Sequence, residues 1–208
     1  MEQEIKLQVT QTHAIAPEQL AKVLGLSTSP LQQKIENRYF DSADLQLLKR
    51  GVALRLRHKA GQWLQTVKTA GRVKNGLHQR QEWEMPLDSG QLDLHLLRQT
   101  ALAPLIDDPA FWQDVQPIFT TDFVRLSWQF GWRNATVEMA YDRGSVSAGH
   151  LQAATHEVEL ELLDGDVTVM DGIADMLSEQ LPLVRHDQSK AALGYALLSR
   201  SQQDMQSG

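Results

Sequence analysis

Charged and apolar residues alternate with a period of two along much of the chain, the repeat of a strand whose successive side chains point to opposite faces. The pattern predicts strands over Glu2–Thr10, Glu36–Phe40, Val52–His58, Gln62–Thr69, Leu77–Pro86, Thr120–Phe130, Arg133–Tyr141, Gly144–Ala148 and Thr155–Leu163. Ala60-Gly61, Asn75-Gly76 and Asp142-Arg143-Gly144 supply turn chemistry between them. Helical spacing is rarer. Pro17 opens a short helix over Glu18–Leu24 that Gly25 stops, and Ser42–Lys49 reads as another before Gly51. Asp166–Leu181 places Val169, Ile173, Met176 and Leu177 on one helical face, Ser189–Ser199 does so with Ala191, Ala192, Tyr195 and Leu198, and short helices are expected within Asp88–Asp114. Many strands with few helices give a mainly β (α+β) fold, an antiparallel barrel or sandwich with peripheral helices. The domain is expected over 1–200, with 201–208 a frayed polar tail.

In several strands the alternating polar face is fully charged. Glu2, Glu4 and Lys6 share a face, as do Arg55, Arg57 and Lys59; Arg80, Glu82 and Glu84; and Glu157, Glu159 and Glu161. Glu138, Ala140 and Asp142 form a weaker run, and Thr66 and Lys68 another. A sheet with one wet face is the ordinary explanation of any single run. Three glutamates about 6.6–7 Å apart on one strand, however, repel unless cations stand near them. Runs of opposite sign on separate strands suggest an inverted arrangement, with charge inside and Leu54, Leu56, Val158, Leu160 and Leu162 outside under the helices.

Composition narrows the chemistry. The 208 residues contain no cysteine, which excludes disulfides and thiolate metal sites. A net charge of −6 argues against non-specific nucleic-acid binding. No apolar run is long enough to cross a membrane, and the acidic start Met1-Glu2-Gln3-Glu4 lacks the basic and apolar stretches of a secretory signal, so a cytoplasmic location is expected. The seven histidines show no metal-ligand spacing and read as surface or turn residues; the five tryptophans read as packing residues, and Ser189 as a helix cap. With 26 acidic residues, oxygen ligands and a hard divalent cation are the better match. A lumen carrying both signs suits a triphosphate with its metal ions: Lys6, Arg55, Arg57, Lys68, Arg80 and Lys190 for the phosphates, and Glu2, Glu4, Glu159 and Glu161 for the cations.

Ordered motifs then point to a family. Glu2-Gln3-Glu4-Ile5-Lys6 resembles the ExExK signature of the CYTH superfamily, the triphosphate tunnel metalloenzymes. Tyr39-Phe40-Asp41, Ala53-Leu54-Arg55-Leu56-Arg57, Thr66-Val67-Lys68, the segment Gly76 to Glu82, Thr121 to Arg125, Glu157-Val158-Glu159-Leu160-Glu161 and Ser189-Lys190 with Gly194 resemble successive family segments across residues 1–199. The chain most resembles the CYTH domain of bacterial inorganic triphosphatases, which often carry a C-terminal helical CHAD domain in a longer parent protein. This resemblance implies a closed eight-stranded antiparallel β-barrel, Mg2+ or Mn2+ as cofactor, and hydrolysis of inorganic triphosphate to pyrophosphate and phosphate. It implies metal ligands at Glu2, Glu4, Glu159 and Glu161, with Glu82, Glu138 and Glu157 as further metal or water-orienting carboxylates. It implies a phosphate cradle of Lys6, Arg55, Arg57, Lys68, Arg80, Arg125 and Lys190, with Glu82 and Lys68 nearest the chemistry. Hydrolysis or cyclisation of an organic triphosphate, or polyphosphate binding without turnover, stays open at this point.

Overall fold

The computed structural model of the chain describes residues 1–207. Its elements run β1 (Glu2–Val9), α1 (Pro17–Val23), β2 (Leu31–Asp41), α2 (Gln46–Lys49), β3 (Val52–Lys59), β4 (Gln62–Thr69), β5 (Arg72–Lys74), β6 (Leu77–Arg80), β7 (Glu82–Leu87), α3 (Leu94–Leu97), a 3-10 turn (Ala103–Leu105), α4 (Pro109–Asp114), β8 (Gln116–Trp132), β9 (Ala135–Ala148), β10 (Leu151–Asp164), α5 (Thr168–Gln180), β11 (Leu183–Arg185) and α6 (Lys190–Ser207). The expected hairpin turns fall where their glycines put them: Ala60-Gly61 and Asn75-Gly76 have φ of 51° and 77°, and 52° and 78°.

All described strands belong to one curled, eleven-stranded antiparallel sheet in the order β5-β6-β1-β10-β9-β8-β2-β3-β4-β7, with β11 added to β1. The sheet departs from the expected closed ring of eight: two short strands, β5 and β11, are added, and the strand expected over Leu77–Pro86 breaks at Gln81. Its first part, β6, pairs with β1 and its second, β7, with β4. The two ends of the curl are therefore tied by the chain itself, and Lys68 Nζ on β4 reaches Glu2 Oε1 on β1 at 2.6 Å. Arg72–Lys74 and Leu183–Arg185, too short to show a period, also join the sheet.

The expected turn at Asp142-Arg143-Gly144 is instead the interior of β9, which runs unbroken from Ala135 to Ala148. Gly144 is there for close approach: a Cβ would lie 2.0 Å from the Asp122 carbonyl oxygen on β8. The tail expected to fray from 201 is helical, since α6 continues to Ser207; Gly208 lies outside the described residues. Ser201 is buried and its hydroxyl pairs with His150 Nδ1 at 3.0 Å, pinning this part of α6 to the β9–β10 turn. The helix expected over Ser42–Lys49 keeps only Gln46–Lys49, because Asp41 Oδ1 draws in the Leu47 N–H (2.7 Å) and Ser42 Oγ the Gln46 N–H (2.9 Å) ahead of it.

The inverted arrangement holds. Ile5, Leu7, Val137, Met139, Val158 and Leu160 turn outward from β1, β9 and β10 and bury against Leu20 of α1 and Val169, Met170, Ile173 and Leu177 of α5. Leu54 and Val67 of β3 and β4 bury against Leu47, Leu97 and Leu102. Each such side chain contributes roughly 1.5–3 kcal/mol by leaving water. Because the apolar faces are spent outward, the charged faces converge on the concave side. At one end α6 leans over this cavity. Gly194 packs on Phe119, where a Cβ would meet the ring at 2.3 Å, and Leu197 joins Tyr39, Phe119 and Val146 in a third cluster. No helix is long and apolar enough to cross a membrane among the described residues.

Candidate functional site

The concave side encloses a cavity of about 490 Å3, within the range of roughly 300–1,000 Å3 usual for small-molecule sites. Lys6, Arg55, Arg57, Lys68, Arg80, Arg125, Lys190, Glu2, Glu4, Glu82, Glu138, Glu159 and Glu161 all line it. Glu157, the remaining candidate, reaches the same group through the Lys190 ammonium. Antiparallel register explains the convergence: Glu4 stands opposite Glu161, Lys6 opposite Glu159, Glu161 opposite Glu138 and Glu157 opposite Asp142.

Most of these charges are matched internally. Arg80 Nε donates to Glu2 Oε2 at 2.7 Å and its Nη2 to Glu4. Lys68 Nζ lies 2.6 Å from Glu2 Oε1 and 3.0 Å from Glu82 Oε2. Lys6 bonds Glu159 and stands 3.1 Å from Glu4. Arg125 donates twice to Asp142 at 2.7 Å and also to Glu159. Lys190 Nζ lies 2.6 Å from Asp142, 3.1 Å from Glu159 and against Glu157. Burial opposes the charge of Lys6 and Lys190, but Glu159 and Glu4 around Lys6, and Asp142 and Glu157 around Lys190, outweigh it and raise both pKa values. Burial likewise opposes ionisation of Glu159, yet Lys190, Lys6 and Arg125 hold its carboxyl well below the usual range. Burial lifts Glu157 in spite of Lys190.

Two places are matched less closely. Arg57 makes one short bond, Nε to Asn37 Oδ1 at 2.9 Å. Burial and the neighbouring Arg55 and Arg125 depress its pKa to about 10. Arg55 beside it has a buried Nε without a hydrogen-bond partner among the described residues, its acceptors stand at 3.5 Å (Tyr39 Oη) and 3.6 Å (Glu82), and Glu84 lies 3.8 Å from both guanidiniums. Two adjacent guanidiniums with unused donors make an anion site. The second place is acidic. Glu161 and Glu138, opposite in register, have no ion pair among the described residues. Burial, with Glu2, Glu4 and Glu82 nearby, pushes the Glu161 carboxyl up to about 7.

A sequence profile of the CYTH domain matches residues 1–195. The chain belongs to the CYTH domain family. Inorganic triphosphatase of Haemophilus influenzae is 32% identical to this CYTH domain in an alignment of 203 positions that covers 96% of the chain and 56% of the relative, so the chain spans little more than half the length of that relative. Among solved structures, a Hippeastrum protein described as a candidate adenylyl cyclase with a dominant triphosphatase activity shares the fold with a TM-score of 0.70 at 20% identity, covering 94% of this chain and 96% of that one. A Pyrococcus horikoshii protein does so with a TM-score of 0.57 at 16% identity, covering 95% and 99%.

The structure adds cavity-lining groups that the candidate set lacks. Asp142, fully buried, carries both Arg125 and Lys190; its place two residues beyond Ala140 on the charged face of β9 was the available signal, and the turn reading obscured it. Lys59 and Glu84 line the cavity, each as the third member of a charged run. Asn37 carries no charge and no periodic signature, so nothing in the sequence marked it. Arg38, the next residue on β2, lies over Trp63, 5.7 Å from the ring centre. Ser189 caps α6, its Oγ accepting from Ala192 N at 3.1 Å.

Proposed function

We propose that this domain hydrolyses inorganic triphosphate to pyrophosphate and phosphate in the charged cavity, with Mg2+ or Mn2+ held by the carboxylates. The observation that carries this reading is the Arg55–Arg57 pair: side by side, buried and short of close acceptors, facing a wall of glutamates. A pure anion binder would gain nothing from that wall, whereas a phosphate chain accompanied by a divalent cation meets both signs.

The residues fit a divalent cation. Glu161, raised to about 7 by burial and by Glu2, stands opposite Glu138, which has no ion pair among the described residues, and a cation beside Glu161 would favour its charged form. Glu161, Glu138, Glu2 and Glu4 would hold the ion. The oxygens of Asp142, Glu157 and Glu159 lie within 4.8 Å of one another, but the Lys190 ammonium already sits among them, so Glu157 and Glu159 serve mainly to hold Lys190, Lys6 and Arg125. When bound, the metal supplies positive charge to phosphate oxygens that the glutamates would otherwise repel. Arg55 and Arg57 grip the phosphate chain. Glu82, which Lys68 and Arg55 bring below the ordinary carboxylate range against the effect of burial, is ionised at neutral pH and orients the attacking water. Lys68, 3.0 Å away, steadies Glu82 and lends charge as the bridging P–O bond breaks.

Inorganic triphosphate is favoured over a base-bearing substrate because the cavity's aromatic rings are engaged. Tyr39 stacks on Phe119 at 4.5 Å, Tyr195 meets Phe119 edge-on at 5.1 Å and bonds Asp41, and Phe123 lies under Lys190 at 4.8 Å. The test is phosphate release by the purified domain from inorganic triphosphate, pyrophosphate, ATP and thiamine triphosphate, with Mg2+, with Mn2+ and with EDTA. Metal-dependent release is expected from inorganic triphosphate, with kcat/KM about a hundredfold above the organic esters. Binding without release under every metal condition would leave a polyphosphate-binding domain.

A further inference from the structure

Glu84 has no part in the reaction described above, yet it stands at its anion site. Its Oε2 lies 3.8 Å from Arg55 Nη2 and 3.8 Å from Arg57 Nη1, equidistant from the two guanidiniums. The Thr66 hydroxyl donates to the same oxygen at 3.2 Å. These separations contrast with the tight pairs elsewhere in the cavity, such as Arg80 on Glu2 or Arg125 on Asp142, both at 2.7 Å. The Glu84 side chain is also 38% exposed, against 19% for Glu82 and 6% for Glu2. A single oxygen bridging two arginines and accepting from a hydroxyl is how a phosphate oxygen would be held. Glu84 copies that arrangement loosely, from a side chain with room to swing toward solvent.

We propose that Glu84 is a displaceable counter-ion: its carboxylate takes the place of a phosphate oxygen between Arg55 and Arg57 before substrate binds, yields it to the phosphate chain, and returns to help expel product. The inference rests on the phosphate-binding role of Arg55 and Arg57. It makes Glu84 a residue that sets affinity and release, not one that stabilises the bound state. A carboxylate beside an anion site also keeps the two arginines from repelling each other, so a purely structural role is the rival explanation. The two differ in sign. Removing a structural counter-ion would disorder the arginines and weaken phosphate binding; removing a competitor strengthens it.

The experiment measures binding of inorganic triphosphate and of pyrophosphate by calorimetry in EDTA, and steady-state turnover with Mg2+, for the wild type, Glu84→Gln and Glu84→Ala. Both variants are expected to bind triphosphate and pyrophosphate about tenfold more tightly. Their KM should fall, and kcat should fall with it as pyrophosphate leaves more slowly. Two substitutions of different shape guard against an effect of the glutamine amide alone. Arg57→Ala and the Arg57→Ala/Glu84→Gln double variant complete a cycle in which the gain from Glu84→Gln shrinks once Arg57 is gone. Unchanged or weaker binding in both Glu84 variants, while Arg57→Ala loses affinity, would overturn the role of Glu84 and leave the arginine site standing. Arg57→Ala binding triphosphate as the wild type does would overturn the arginine site, and the role of Glu84 with it.

Discussion

Replacing Glu161 by glutamine should make the metal-free domain more stable and, under the proposed function, slow triphosphate hydrolysis sharply. Glu161 titrates at about 7 in the folded protein against an ordinary value of 4.5. The folded state therefore keeps its proton over a range in which the unfolded chain has lost it. Stability contributed by this group is fully present below about pH 4.5 and is lost as pH rises toward 7, with no further loss above. At about 1.36 kcal/mol per pH unit, the ceiling on that loss is about 3 kcal/mol. Relaxation of Glu2, Glu4 and Glu82 around the charge reduces it to about 1–2 kcal/mol. Glutamine keeps the shape and never ionises. Urea unfolding in EDTA should show the stability difference, variant minus wild type, growing by about 1–2 kcal/mol between pH 5 and pH 8, a shift of about 2–8 °C in Tm at the higher pH. Using the difference removes His78, whose pKa burial pushes down and which therefore acts in the opposite sense. With Mg2+ or Mn2+ present the order should reverse, because the wild type gains more from the ion. Turnover should drop by about a hundredfold or more, the scale of losing one preorganised charge in such a site. A variant less stable than wild type in EDTA at pH 8 would show that Glu161 does not resist ionisation in the fold, and one that hydrolyses triphosphate at the wild-type rate would show that it does not serve the metal.

Lys190→Met leaves Asp142, Glu157 and Glu159 facing one another without their shared ammonium, which should cost about 3–5 kcal/mol; differential scanning fluorimetry should show Mn2+ recovering more of the lost Tm than it adds to the wild type, as the carboxylates take the ion in the lysine's place. Two glycines should respond oppositely to alanine. Gly144→Ala drives a Cβ to 2.0 Å from the Asp122 carbonyl oxygen and should abolish folding or yield aggregated protein, whereas Gly172→Ala, in the middle of α5 with nothing within 4 Å, should gain about 0.5–1 kcal/mol in a denaturant titration.

The strands of the charged faces were legible because alternation survives whatever covers the sheet: Gln62–Thr69 matches β4 residue for residue. What the pattern could not show was pairing. The single segment over Leu77–Pro86 looks uniform in sequence, and only its two partners, β1 and β4, reveal the break at Gln81. Gly144 looked like a turn because glycine is common in turns; here it relieves a contact with β8 that lies 22 positions away in sequence. The site was readable as a set of charges but not as a set of pairs. Sequence placed Glu157, Glu159 and Glu161 on one face, with Glu159 and Glu161 as main metal ligands and Glu157 as a further carboxylate. The structure separates them: Glu157 and Glu159 are taken up by Lys190, Lys6 and Arg125, and Glu161 stands without an ion pair among the described residues. Which charges neutralise each other depends on the register of strands distant in sequence, and a one-dimensional period carries no information about it.

The claim on which all of this rests is that the concave face gathers a divalent cation against its glutamates and a phosphate chain against Arg55 and Arg57. Crystals of the domain grown with Mn2+ and a non-hydrolysable triphosphate analogue test it directly, through anomalous scattering from manganese. A manganese peak is expected among Glu2, Glu138 and Glu161, with phosphate density over the two guanidiniums. A peak confined to the outer surface, with Arg55 and Arg57 bare of phosphate, would contradict it.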